Sequence, residues 1–282
     1  MDPQEPFDRR LRRLRRERAS RSGGDADYLL RHATDELLER LAGVKREFRR
    51  ALVLGAGERT LAPRLRALGL EVVVADSAAG LGDVQCDEDR LPFADGAFDL
   101  IVSVGALDSV NDLPGALALV RRALRPDGLF LGAFAGAGSL PTLRRAIHAA
   151  EEAQGLPASP RIHPQIDLRA AGDLLARAGL ALPVVDGDTI IVRFGSLLRL
   201  VADLRAMGTT NLLQGRSRRP LGRIGLAAAI ADFAAQADAD GKTAERFEIV
   251  HLIGWAPAPD QPQPARRGSA TASLTDALKP KS

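Results

Sequence analysis

A single cysteine, Cys86, in 282 residues excludes a disulfide framework and a cysteine-based metal cluster. Four histidines, His32, His148, His163 and His251, lie far apart, with no pair at metal-ligand spacing. Aromatic residues are 4% of the chain, too few for a base-stacking nucleic-acid platform. No apolar run reaches about 18 residues, so a transmembrane helix is not expected. The first residues lack the apolar stretch and small-residue cleavage site of a secretory signal, and the expected location is cytoplasmic. Net charge is only +3, too mild for a dedicated DNA binder. What remains is an ordinary globular composition, 45% hydrophobic and 27% charged, long enough for one substantial core. Arginine far outnumbers lysine, a bias read as base composition rather than chemistry.

The basic excess is concentrated at the start. Residues 1–22 hold eight arginines against four acids, with Phe7, Leu11 and Leu14 at helical spacing. Two readings stand: a solvated basic helix, or a contact through residues 7–21 to an acidic partner or a membrane surface.

Further on, the chain alternates. A helix is predicted over 26–44. The apolar run Ala51-Leu52-Val53-Leu54 stops at Gly55-Ala56-Gly57 and leads into Leu61, Leu65 and Leu68 at helical spacing. Val72-Val73-Val74-Ala75 ends at Asp76, 19 residues after Gly57, about the interval expected between a glycine turn and the acid at the next parallel strand tip. Phe98–Val104 is a strand, Leu113–Leu124 a helix, Arg125-Pro126-Asp127-Gly128 its terminating turn, and Leu129–Phe134 another strand. A helix over Asp167–Ala178 follows. Pro183–Phe194 reads as a strand pair or one long strand bent at Gly187. Residues 196–238 look helical with breaks near Gly208 and Pro220, and Glu245–Trp255 is a last strand. Near-continuous apolar strands between amphipathic helices imply a doubly wound, mostly parallel α/β sheet covered on both faces. Residues 257–282, rich in proline and small polar residues, read as a disordered tail.

In such a sheet ligands sit at the carboxyl ends of the strands. Gly55 and Gly57 would let the backbone pass close beneath a ligand. Asp76 offers two acceptors to an adjacent pair of ribose hydroxyls, and Asp87 stands where a further strand tip would meet an adenine amino group. A dinucleotide fingerprint is missing, because Thr60 stands where its third glycine belongs; a P-loop is missing too. The competing reading of the glycines is a plain tight turn.

With its strand order and the predicted terminal strand beyond a helical insert, the chain resembles a class I S-adenosylmethionine-dependent methyltransferase. Phe7-Asp8-Arg9, Asp27-Tyr28-Leu29, Leu91-Pro92-Phe93, Val110-Asn111-Asp112-Leu113-Pro114, Arg177-Ala178-Gly179, Asp203-Leu204, Met207-Gly208, Asn211 and Ile253-Gly254-Trp255 are similar to one branch, the respiratory complex I assembly factor 5 family and its bacterial relatives. The resemblance spans about Phe7 to Trp255. It implies a seven-stranded Rossmann-like domain over 46–256 and a basic helical extension over 1–45; the apolar insert over about 196–238 reads either as a substrate-selecting lid over the strand tips or as plain core. The resemblance implies S-adenosylmethionine as cofactor, held by Gly55, Ala56, Gly57, Asp76, Ser77, Asp87, Glu88 and Gly105, and a protein substrate. The mitochondrial member is known as a hydroxylase of an arginine in an iron–sulfur subunit.

The chain departs from that family at three places. Val53 replaces an acid at the end of the first strand, Arg59 replaces a third glycine, and Asp108-Ser109 replace a His-Trp pair. Arg59 is expected either to meet a methionyl carboxylate or to block the turn. Asp108 is the candidate catalytic residue, able to orient or deprotonate a cationic nitrogen; its alternative is a helix cap or a loop hydrogen bond. Tyr28 either reaches over the cofactor or packs its helix, Asp112 starts a helix, Trp255 is core, and Cys86 is inert on a buried strand. Methyl transfer to a protein, arginine hydroxylation, which needs an oxidant and for which no His-x-Asp…His triad is present, and a non-catalytic assembly chaperone are the three functions in play.

Overall fold

The computed structural model describes residues 5–21, 26–57, 59–259 and 261. In chain order the elements are α1 (Arg9–Arg21), α2 (Tyr28–Ala42), β1 (Arg50–Leu54), α3 (Leu61–Ala67), β2 (Glu71–Asp76), β3 (Val84–Gln85), β4 (Phe98–Val104), α4 (Leu113–Ala123), β5 (Leu124–Ala135), α5 (Pro141–Glu152), α6 (Leu168–Arg177), β6 (Ala181–Phe194), α7 (Leu197–Ala206), α8 (Arg223–Ala234) and β7 (Thr243–Trp255). A short 3₁₀ turn covers Leu107–Ser109.

The strands form one seven-stranded sheet in the order β3-β2-β1-β4-β5-β7-β6. The first five pair in parallel, and β7 enters antiparallel between β5 and β6. The doubly wound, mostly parallel sheet expected from the alternation is therefore present. Strand order reverses between β1 and β4, and the ends of β1, β2, β3 and β4 share one edge.

The central strands are apolar throughout because both faces are covered. Leu52, Leu54, Ile101 and Phe130 face α4 and α6, together with Leu117 and Leu175. Val53, Leu100, Val102 and Leu131 face α2 and α3, together with Leu37 and Leu65. Val53 is 1% exposed and belongs to the apolar core. A third cluster joins α5, α7 and α8 through Leu143, Leu200, Phe233 and Phe247.

Four features differ from the sequence reading. β3 has only two residues, too short for any periodic signal, and Cys86 lies just beyond it and half-buried rather than on a buried strand. Burial and the nearby carboxylates of Glu88 and Asp87 push its thiol up to about 12, so it stays protonated. Arg125-Pro126-Asp127-Gly128 is no simple turn after a helix. It lies within β5, with Asp127 at φ 62° and a register shift opposite Phe98–Leu100, pinned by bonds from Asp127 N to Ala256 O and from Ala256 N to Gly128 O. Residues 181–194 form one continuous strand with its irregularity at Ala181–Val184, before Gly187, which keeps register opposite Val250. The basic segment is a helix packed onto the sheet edge. Of the tail over 257–282, all but residues 257–259 and 261 lie outside the described residues.

Helix starts show how side chains replace missing backbone partners. Asp112 caps α4 by accepting from Gly115 N at 2.9 Å. The start of α5 has no cap of its own, since Leu140 is at φ 61°. Glu245 of β7 serves instead, accepting from Thr142 N at 3.1 Å and Leu143 N at 2.7 Å while fully buried. Burial pushes its carboxyl above the usual range despite these donors. Glu245→Ala is expected to reduce unfolding free energy by roughly 2–3 kcal/mol, because it orphans buried N–H groups. Glu245→Gln, which keeps an acceptor, should cost less, and Asp112→Ala about 1 kcal/mol. Urea midpoints at constant slope check the ranking.

Candidate functional site

β1 ends in a turn at Gly55, whose φ of +94° suits glycine, and a Cβ there would lie 2.6 Å from the Cβ of Ala106. Gly105, just past β4, is at φ +62°, and a Cβ there would lie 2.5 Å from Leu30 Cδ2. Asp76 at the end of β2 ties the neighbouring turns together, accepting from Ala56 N at 2.7 Å and Ala78 N at 2.8 Å. Ser77 is fully buried, with no hydrogen-bond partner for Oγ. Asp87, Glu88 and Asp89 follow the end of β3. The fold thus gathers Gly55, Ala56, Gly57, Asp76, Ser77, Asp87, Glu88 and Gly105 along one edge.

That edge is already engaged by α1. Arg16 forms a two-pronged pair with Asp76, Nε to Oδ1 at 3.0 Å and Nη2 to Oδ2 at 2.5 Å. Arg12 holds Glu88 in the same way, Nη1 to Oε2 at 2.6 Å and Nη2 to Oε1 at 2.8 Å. It also donates to Ser109 Oγ and Ala106 O, each at 3.1 Å. Arg13 reaches Asp87 at 2.7 Å, and Arg9 grips both oxygens of Asp89 at 2.7 Å. Residues 9, 12, 13 and 16 share one helix face. The pairs are dry: side-chain exposure is 4% and 1% for Arg12 and Glu88, and 9% and 0% for Arg16 and Asp76. Burial alone would raise the Asp76 carboxyl, but the charge and hydrogen bonds of Arg16 hold it below the usual range. Burial would likewise lower the Arg12 guanidinium, and the charge of Glu88 outweighs it.

The guanidinium of Arg16 lies in the hollow over the glycine turn. A Cβ on Gly55 or on Gly57 would meet its Nη2 at 3.6 Å. The space left beneath α1, between Arg16, Ala56, Gly57, Arg59 and Met207, is about 110 Å³. Arg59 does not block the turn. It is exposed and donates to the carbonyl of Ser20 on α1.

A second cavity of about 530 Å³ lies beyond the ends of β4 and β5, under α2, α5, α7 and α8. Its walls are mainly apolar, among them Leu29, Leu143, Val201, Leu204 and Phe247, while Asp108, Arg161, His163, Arg205 and Asn211 bring polar groups. His163 accepts from Leu212 N at 2.8 Å, and burial lowers its pKa, so the ring is neutral. A further pocket of about 10 Å³ is walled by Arg12, Arg16, Gly105, Asp108 and His163, of which Arg16 also lines the hollow and Gly105, Asp108 and His163 also line the cavity. Asp108 sits half-buried on the 3₁₀ turn and caps no helix. Tyr28 packs within the α5/α7/α8 cluster and donates to Asp203 at 3.4 Å. Trp255 is partly buried against the α2/α3 cluster.

The reading of residues 1–22 as a solvated basic helix is therefore corrected: four of its arginines are the partners of the strand-tip acids. Sequence reasoning missed this pairing. The signal was arginines at i, i+3, i+4 and i+7 set against a run of three consecutive acids. It also missed His163 and the pair of hydrogen bonds, 2.5 and 2.9 Å, by which His32 and His251 share Asp188 beneath α2.

Comparison with known proteins agrees with the fold. A family described as a methyltransferase domain matches residues 25–183. The Bacillus subtilis YcgJ protein superposes with a TM-score of 0.52 at 17% identity, covering 80% of this chain and 99% of that one. The Danio rerio protein named arginine-hydroxylase NDUFAF5, mitochondrial, is 33% identical over 287 residues, covering 97% of this chain and 89% of its own. The Homo sapiens protein of the same name is 34% identical over 282 residues. The chain belongs to the NDUFAF5 family of methyltransferase-domain proteins. A Xylella fastidiosa malonyl-[acyl-carrier protein] O-methyltransferase is also similar, 31% identical over 251 residues.

The donor set of this family member suits an adenosyl ligand: a bare glycine turn, a carboxylate at the β2 tip and acceptors after β3. The space does not while α1 is seated, because Arg16 uses both oxygens of Asp76 and the remaining hollow is well below the roughly 300 Å³ of a small ligand site. Arg12→Ala, which strands buried Glu88, is expected to cost about 3–5 kcal/mol of stability. Arg16→Ala should cost less, since two backbone N–H groups still serve Asp76. The folded carboxyl of Asp76 lies below its unfolded value, so the Arg16 contribution is complete above about pH 4 and is lost as pH falls through the depressed value. The gap in urea midpoint between wild type and Arg16→Ala should be constant from about pH 8 to 5 and close below about pH 4.

Proposed function

We propose that this protein acts on an arginine-bearing segment of a respiratory complex I subunit during assembly, by methyl transfer with S-adenosylmethionine as donor. The observation that supports the reading is the cavity of about 530 Å³ beside the strand tips, with Asp108 in its wall. The three methylenes of an arginine side chain match apolar walls, and a carboxylate at the end matches its guanidinium. Asp108 accepts an N–H of that guanidinium and orients the nitrogen. Neutral His163, its Nε2 already engaged, adds no competing positive charge. The lid of α7 and α8 excludes water from the cavity.

S-adenosylmethionine, when bound, supplies the methyl group. Gly55, Ala56, Gly57, Asp76, Ser77, Asp87, Glu88 and Gly105 are the residues that would hold it. The names of the Danio rerio and Homo sapiens relatives favour a second reading, arginine hydroxylation with an external oxidant. The pairing of Arg16 with Asp76 favours a third, an assembly chaperone that works without chemistry.

Mass spectrometry of a co-expressed iron–sulfur subunit separates the three. A gain of one methyl on an arginine, lost in Asp108→Asn, is the expected outcome. A gain of one oxygen would replace methyl transfer by hydroxylation. An unmodified subunit that nonetheless requires this protein for assembly would leave the chaperone role.

A further inference from the structure

The carboxylate row at the strand tips is complementary to guanidinium groups, residue for residue. Asp76, Asp87, Glu88 and Asp89 each meet an arginine of α1, three of them two-pronged, a geometry specific to the planar fork of arginine. The helix is also held from its far side. Asp8 N donates to Leu212 O at 2.9 Å and Gln214 N to Pro6 O at 2.8 Å. Phe7 N donates to Asn111 Oδ1 at 2.7 Å, Arg15 donates to the Asn211 carbonyl, and Arg216 reaches Asp8 at 3.2 Å. The segment at 211–216 that holds α1 also contributes Asn211 to the large cavity.

From this geometry we infer that α1 is an intramolecular occupant of the cofactor site: Arg16 and an adenosyl ligand compete for Asp76 and for the hollow over Gly55 and Gly57, and the ligand enters only when α1 lifts. The inference rests on the strand-tip cofactor reading given above. The ribose diol and the guanidinium fork both require the two oxygens of Asp76, and the hollow has no room for both. Lifting α1 removes Arg12 and Arg16 from the small pocket they wall together with Gly105, Asp108 and His163, three residues that also line the large cavity. It also removes the partners of residues 211–216. One helix therefore governs the cofactor side and the substrate side together.

The test uses the full chain. Calorimetry with S-adenosylmethionine is run on wild type, Arg16→Ala and Arg16→Ala/Asp76→Asn, with hydrogen exchange of wild type with and without saturating ligand. Arg16→Ala is expected to bind at least about tenfold tighter than wild type, because the competent state no longer has to be drawn from a minor population. The double variant should lose that gain. Ligand should speed amide exchange over residues 9–21 and 211–216 of wild type, a readout that does not depend on any variant folding. Equal affinity of wild type and Arg16→Ala, with slowed or unchanged exchange over 9–21, overturns the competition and leaves the cofactor site standing. No binding by either protein at millimolar ligand overturns the cofactor site itself, and the competition with it.

Discussion

Carboxylates crowded at the ends of parallel strands repel one another, and each loses hydration as the sheet is covered. Asp76 and Glu88 are almost fully buried and Asp87 nearly so. An unpaired ion at such depth is costly, so the folded chain must supply cations or protons there. It supplies arginines from a single helix face. The rest of the edge follows from that requirement: α1 must lie across the tips, and its N-terminal lead must be held against residues 211–216.

Buried ion pairs of this kind add little net stability over apolar groups of the same shape, because desolvation consumes most of the Coulombic gain. What they confer is selectivity of partner. Removing one side leaves an uncompensated charge, so the pairing is maintained until something else satisfies the acids. Hydroxyls or amino groups of a ligand can do so for Asp76 only by displacing Arg16. The arrangement therefore keeps the tips dry and occupied without foreclosing their use.

The alternation of apolar strands with amphipathic helices carried the doubly wound sheet, and the 19-residue step from Gly57 to Asp76 placed two strand tips on one edge. Those features are local or periodic, and period survives in a bare sequence. β3 was hidden because two residues have no period. The turn at Arg125–Gly128 was misread because Asp127 in the left-handed region interrupts a strand without ending it. The arginine–carboxylate row was hidden for a different reason. Its partners are 60 to 80 residues apart, and a basic helix looks the same whether its charges meet water or acids. Only tertiary placement decides which.

The three places where the sequence is expected to depart from its family fit a seated α1. A carboxylate at position 53 would enter a position that is 1% exposed and lined by Leu37, Leu65 and Val102, with no arginine of α1 assigned to it. Valine removes a charge that the helix has no cation to match. Arg59, in place of a glycine, turns outward and holds the Ser20 carbonyl near the end of α1, where the last turn of a helix leaves its carbonyls without internal donors. Ser109, at the second place of the replaced pair, accepts from Arg12. Val53, Arg59 and Ser109 thus each permit or add to the same helix-to-strand-tip contact.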